Sequence, residues 1–186
     1  MQLKMWRPAD VPVPSIPVPD GFTMRTMRDG EASAWAACCL GEFGIEEACE
    51  EAFAKKGMLL IPQDRIFFIC ENDVPVATAT ARVHEGEPFL HYISVRPDRR
   101  GHRLAKPLIA KVLQTHASDG LSGCYLTTDD FRVPALHTYL SMGYLPVLWT
   151  DDARARWERI LSVLGMDSVK AYQLSMKPAP DVTAKA

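Results

Sequence analysis

Residues 64–95 restrict the possible folds more than any other part of the chain. Two runs rich in β-branched and aromatic residues, RIFFICE at 65–71 and VPVATATARV at 74–83, are separated by Asn72 and Asp73. Such a pair suits a tight turn, because both residues tolerate a left-handed backbone. A third run of the same character covers 89–95. Three strands in succession predict antiparallel pairing, and the apolar faces of that sheet then need covers.

Helical periodicity on either side supplies them. Upstream, after a short strand at 22–27, Asp29 can cap a helix carrying Trp35, Cys38 and Cys39. Ile45, Ala48, Cys49, Ala52 and Phe53 then recur at helical spacing until Gly57 ends the segment. Downstream, Leu104, Leu108, Ile109 and Val112 share one side of a helix over 103–115, broken by Asp119 and Gly120. A strand at 123–128, a helix opened by Pro134 and stopped at Gly143, extended chain at 144–150, an amphipathic helix at 153–164 and a strand at 169–176 complete the series. Antiparallel pairing early and a βαβ crossover later predict an α/β fold with a mixed, mostly antiparallel sheet and helices on both faces. Five prolines among residues 1–21 predict an extended N-terminal arm, 22–177 is the expected domain, and 178–186 reads as a flexible tail.

With 186 residues, 47% of them hydrophobic and 24% charged, the chain can bury a core, which excludes wholesale disorder. Lys plus Arg (21) against Asp plus Glu (23) leaves a net charge of −2, so no nucleic-acid partner is expected. The sequence shows neither a long apolar run nor a secretory leader pattern, so no membrane association and a cytoplasmic location are expected. Five cysteines, an odd number without a C-x-x-C pair, read as reduced thiols, and the five histidines show no metal-ligand spacing, so no metal site is expected.

The stretch ISVRPDRRGHRLAKPLI, 93–109, runs an apolar strand through a Gly-containing loop into a helix. The first turn of a helix exposes unpaired N–H groups and a positive dipole end, which suits a phosphate. Arg96, Arg99, Arg100, Arg103 and Lys106 place five cations within eleven residues of an otherwise slightly acidic chain. Charge alone fits a solvated basic helix start equally well. A second stretch, ALHTYLSMGY at 135–144, puts Tyr139 on a short helix ending at Gly143, where a core tyrosine is the plainer reading.

Taken in order, the two stretches resemble the GCN5-related N-acetyltransferases. Residues 95–105, VRPDRRGHRLA, are similar to that family's acetyl-CoA motif, and A-x-x-x-Y-x-x-x-G-[FY] at 135–144 is similar to its Tyr-bearing helix. The resemblance implies a GNAT-like acyl-CoA N-acyltransferase fold and an N-acetyltransferase with acetyl-CoA as co-substrate. Its pyrophosphate would rest on Arg100, Gly101, His102, Arg103, Leu104, Ala105 and Lys106, and backbone groups of Ile93, Ser94 and Val95 would polarise the thioester carbonyl. Arg103 stands where the family usually has Gly, and Arg132 where it often has Asn.

The acceptor implied is a primary amine of a small molecule, peptide or protein, attacking directly. An alkylammonium with pKa about 10.4 is neutral roughly once in 2,500 molecules at pH 7, equivalent to about 4.6 kcal/mol against attack. A base is therefore expected: His91 first, because strand alternation puts it on the face of Ile93, and Glu87 through water second. Core packing is the competing role for His91. Tyr139 is the expected acid for the departing thiolate. The other class of function left open is an acetyl-CoA-binding sensor or docking module without turnover. A homodimer is compatible with the sequence, since the arm and the helix at 153–164 could cover a neighbouring subunit or the chain's own cleft.

Overall fold

The computed structural model describes residues 1–185. In chain order the strands are β1 (Leu3–Arg7), β2 (Thr23–Thr26), β3 (Ile66–Glu71), β4 (Val74–His84), β5 (Glu87–Val95), β6 (Cys124–Thr128), β7 (Leu145–Leu148), β8 (Ser168–Gln173) and β9 (Pro178–Thr183). The helices are α1 (Ala32–Cys38), α2 (Glu50–Lys55), α3 (Ala105–Ser118), α4 (Val133–Ser141) and α5 (Ala153–Leu164). They form two compact units: one holds Val13–Leu121, the other Met1–Pro12 with the chain from Ser122 onward.

In the Val13–Leu121 unit the strands run β2-β3-β4-β5, all antiparallel. The turn between β3 and β4 is Asn72-Asp73, with φ of 50° and 66°, the left-handed pair that matches the twist of a two-residue hairpin. Glu85-Gly86 repeats the device between β4 and β5, with φ of 53° and 83°. Side-chain alternation divides β3 between two covers. Ile66, Phe68 and Cys70 pack with Trp35, Ala36 and Phe53 of α1 and α2. Phe67 points the other way, where the Lys111 ammonium of α3 lies 5.5 Å from its ring centroid. Helices therefore cover both faces, and α3 commits Leu108, Ile109, Val112, Leu113 and His116 to its buried side.

Two helical expectations change here. Asp29 does not cap α1; it accepts a hydrogen bond from Gln63 (2.9 Å), and the residue before the helix is Glu31, whose carboxylate accepts from the Arg28 amide (2.8 Å) and from Arg25. The segment from Ile45 is helical only at Glu50–Lys55: Cys49, just before the helix, is extended (φ −131°, ψ 165°), and Ile45 is buried from a turn that follows Gly41 and Gly44. Helical spacing of apolar residues is thus satisfied by a turn followed by a shorter helix.

In the other unit the order is β6-β1-β7-β8-β9, with β7 and β8 parallel and the remaining neighbours antiparallel, so the sheet is mixed. Two expected boundaries are corrected. Within the predicted arm, Leu3–Arg7 forms a strand paired on both sides, because the prolines begin only at Pro8 and LKMWR buries every second residue. Within the predicted tail, Pro178–Thr183 pairs with β8 as a further strand. Its prolines are tolerated on the outermost strand, where the free edge asks for no amide donors. Arg7, 3% exposed, donates to the carbonyls of Met142 (2.8 Å), Val11 (3.1 Å) and Pro12 (2.6 Å), tying the turn after β1 to the last carbonyls of α4.

Candidate active site

β5 is bulged just before it reaches the basic loop. Thr80 opposes His91 and Thr78 opposes Ser94, so Ala79 alone faces both Tyr92 and Ile93. Tyr92 takes φ 44°, an uncommon conformation for an aromatic residue. A bulge interrupts the ladder and re-aims the strand. It also breaks the alternation that would put His91 and Ile93 on one face. His91 instead belongs to a row of rings, 4.8 Å from Phe89 and 3.8 Å from Tyr92 between centroids, and Tyr92 in turn meets Trp35 and Phe43 edge-on. Nothing in the strand's composition marks this bulge.

Beyond Val95 the chain makes a short turn at Pro97–Arg99 and enters α3 at Ala105. Gly101 (φ 87°) and Arg103 (φ 61°) both adopt left-handed backbone. A Cβ at Gly101 would meet nothing within 4 Å, so the backbone there is open to a ligand. Arg103, where the family pattern usually has Gly, thus adopts a backbone that favours glycine, at a cost of about 1 kcal/mol or more. α3 begins at Ala105, two residues later than the periodicity suggests, and no side chain caps its N-terminus. Pro107 is then its third residue, where a missing N–H costs no helical bond.

The five cations divide into two groups. Arg96 pairs with Asp98 (3.0 Å), Arg99 with Glu71 (2.8 Å) and Asp98 (3.1 Å), and Arg100 with Glu42 (2.8 Å) while also donating to the Val95 carbonyl (3.3 Å). Asp98 is held below the usual carboxylate range by Arg96 and Arg99 against the opposing effect of burial. Among the described residues Arg103 and Lys106 have no carboxylate partner, and they flank the uncapped first turn. The predicted contact through Arg100 is therefore weakened by a partner, Glu42, that its sequence distance of 58 residues concealed. His102 faces the Arg99 carbonyl (3.2 Å) and sits edge-on to Phe22. Ser94 and Leu104 are buried, and the predicted residues from Ile93 to Lys106 follow one another along the end of β5, the turn after it and the start of α3.

The two candidate bases fare differently. Burial first, then Arg82 and His84, push the His91 imidazole down to about 3, and the Arg82 guanidinium donates to its Nε2 at 3.3 Å. His91 is neutral at pH 7 with its acceptor nitrogen engaged. Glu87 is exposed at the opposite end of β5, about 13 Å along the strand from His91. Burial pushes the Cys38 thiol up to about 12, consistent with a packing role.

Tyr139 lies in the other unit, on α4, 7% exposed, with its ring 6.1 Å from Tyr144. Arg132, where the family often has Asn, directly precedes α4 and pairs with Asp129 (3.2 Å).

Residues 27–144 match the profile described as the Acetyltransferase (GNAT) family. The chain belongs to that family. Among solved structures, a GCN5-related N-acetyltransferase from Sphaerobacter thermophilus superposes with TM-score 0.63 at 20% identity, covering 78% of this chain and 48% of that one. A GNAT-family acetyltransferase from Colwellia psychrerythraea gives 0.62 at 16% identity, covering 78% and 53%. A mycothiol acetyltransferase of Streptomyces bingchenggensis is 28% identical over 159 residues, 77% of this chain and 49% of that protein. One from Brachybacterium faecium is 26% identical over 152 residues, 72% of this chain and 44% of that protein. This GNAT chain therefore spans about half the length of the curated relatives it matches. Membership makes an acyltransferase the enzyme class it supports. Among its described residues no helix is long and apolar enough to cross a membrane.

Proposed function

We propose that the chain transfers the acetyl group of acetyl-CoA to the amine of a small molecule. The observation that carries this reading is the junction of β5 and α3: an uncapped helix start, open backbone at Gly101, and two cations, Arg103 and Lys106, without carboxylate partners. Those features fit a diphosphate. Relatives named for mycothiol, a small molecule, favour a small acceptor over a protein.

Acetyl-CoA supplies the activated acyl group as its thioester. In this reading, residues 100–106 hold its pyrophosphate through amides and the Arg103 and Lys106 charges. Backbone amides of Ile93, Ser94 and Val95, re-aimed by the bulge at Tyr92 and Ile93, bind the pantetheine and polarise the thioester carbonyl. Tyr139 donates a hydrogen bond to the leaving sulfur. Unperturbed values of about 10 for tyrosine and 8.5 for a thiol make complete proton transfer uphill by roughly 2 kcal/mol, so its contribution is a hydrogen bond that strengthens as charge develops. His91 positions neighbours instead of accepting the ammonium proton, since moving a proton from pKa about 10.4 to about 3 is uphill by roughly 10 kcal/mol. That proton leaves to solvent.

The test incubates purified protein with acetyl-CoA and pooled primary amines and follows free thiol. Acceptor-dependent thiol release is expected. Acetyl-CoA binding with no release above the acceptor-free rate would replace this reading with a cofactor sensor.

A further inference from the structure

The face of the β2–β5 sheet beneath α1 and α2 holds polar groups that the core does not need. Trp35 Nε1, Thr78 Oγ1 and Thr80 Oγ1 are buried there without a hydrogen-bond partner. Thr80 sits opposite His91 and Thr78 opposite Ser94. Next on the same face comes Arg82, half-buried, whose guanidinium meets His91 Nε2 at 3.3 Å.

The Val13–Leu121 unit contains eight arginines, at 25, 28, 65, 82, 96, 99, 100 and 103. Six of them (Arg25, Arg28, Arg65, Arg96, Arg99 and Arg100) reach a carboxylate. Among the described residues the two that do not are Arg103, at the phosphate corner, and Arg82. A half-buried guanidinium has lost part of its hydration, and with no carboxylate of its own unit against it this one is available to an anion from outside. Its surroundings are aromatic. Phe89 lies opposite Arg82 across β4 and β5, with ring centroids 6.3 Å from His84 and 4.8 Å from His91.

We infer that Arg82 binds a carboxylate of the acceptor, so that the substrate is an amine carrying its own carboxylate: an amino acid or a short peptide with a free C-terminus. The inference rests on the transfer reading above and adds the acceptor's chemical class. The guanidinium offers a fork that matches a carboxylate with two parallel hydrogen bonds. Arg82 contacts His91, which directly precedes the bulge proposed to hold the thioester carbonyl. Carboxylate and amine are then separated by no more than about three strand residues, roughly 10 Å, the length of an amino acid to a dipeptide.

The experiment measures calorimetric binding of glycine, 4-aminobutyrate and glycylglycine, each against its C-terminal amide, to the full chain saturated with CoA, and in parallel their acetylation from acetyl-CoA. At least one acid is expected to bind about tenfold or more tighter than its amide, with Arg82→Lys keeping part of that preference and Arg82→Gln losing it. Equal affinity for every acid and amide pair, or a preference that survives Arg82→Gln, overturns the inference. Should both Arg82 variants unfold, the CoA-saturated wild-type chain is treated with a guanidine-selective dicarbonyl and the modified arginines are mapped by peptide mass spectrometry: protection of Arg82 by the preferred acid and not by its amide upholds the inference, and equal modification of Arg82 in both overturns it. Acid-selective binding without thiol release upholds the anion site and overturns the transfer reading.

Discussion

Arg103 couples two opposing effects at one position. Its φ of 61° costs strain that glycine would not bear, while its charge is one of two left free at the start of α3. Arg103→Gly should therefore leave the thermal midpoint unchanged or raise stability by up to about 1 kcal/mol, and at the same time weaken CoA binding several-fold. Tyr139→Phe should lower kcat by about tenfold or more with CoA affinity unchanged, as expected for a hydrogen bond used as the thiolate departs. His91 gives a pH signature. Its folded pKa, about 3, lies below an unfolded value near 6.5, so the unfolded chain binds the proton first. The stability it contributes is complete above pH 6.5 and is lost as pH falls toward 3; burial shifts His116 in the same direction. Between pH 6.5 and about 4.5 the depressed carboxylates such as Glu31 and Asp119 have not yet titrated. Urea midpoints should fall through that window, and His91→Gln should flatten the decline.

At the scale of elements, local chemistry made the central hairpins, α4 and α5 readable, because left-handed turn residues, Pro134 and Gly143 act within a few positions of where they sit. The same reasoning failed at β1 and β9. Prolines counted over twenty residues hid five consecutive residues, Leu3–Arg7, that need no proline-free neighbourhood beyond their own length. Apolar spacing from Ile45 overextends α2 because periodicity cannot see that the chain is extended at Cys49. The bulge at Tyr92 and Ile93 depends on the partner strand's register, which no stretch of β5 encodes alone. Placing β1 between β6 and β7 has a measurable consequence. Deleting residues 1–7 removes a strand hydrogen-bonded on both sides together with Arg7, whose guanidinium satisfies three carbonyls. The truncated chain should lose cooperative unfolding or become insoluble, whereas a dispensable arm would leave its midpoint within about 0.5 kcal/mol of the full chain.

For the molecule as a whole, family and fold class were legible because one strand-loop-helix junction and one tyrosine helix stand in a fixed order. The assignment of charge within the junction was not. Five cations look alike in sequence, and while Asp98 stands beside Arg96, only tertiary contacts reveal that Glu42 and Glu71 pair with Arg100 and Arg99. Within the junction the cations left without a carboxylate partner among the described residues are Arg103 and Lys106, and Arg82 is a further one on β4. The most direct test of the account is calorimetric titration of CoA into the wild-type chain and into Lys106→Glu at low and high ionic strength. The account predicts that the substitution weakens binding by about tenfold or more at low salt, and that the gap narrows as salt screens the site. Equal affinity of the two proteins at low salt would contradict a diphosphate held at the start of α3.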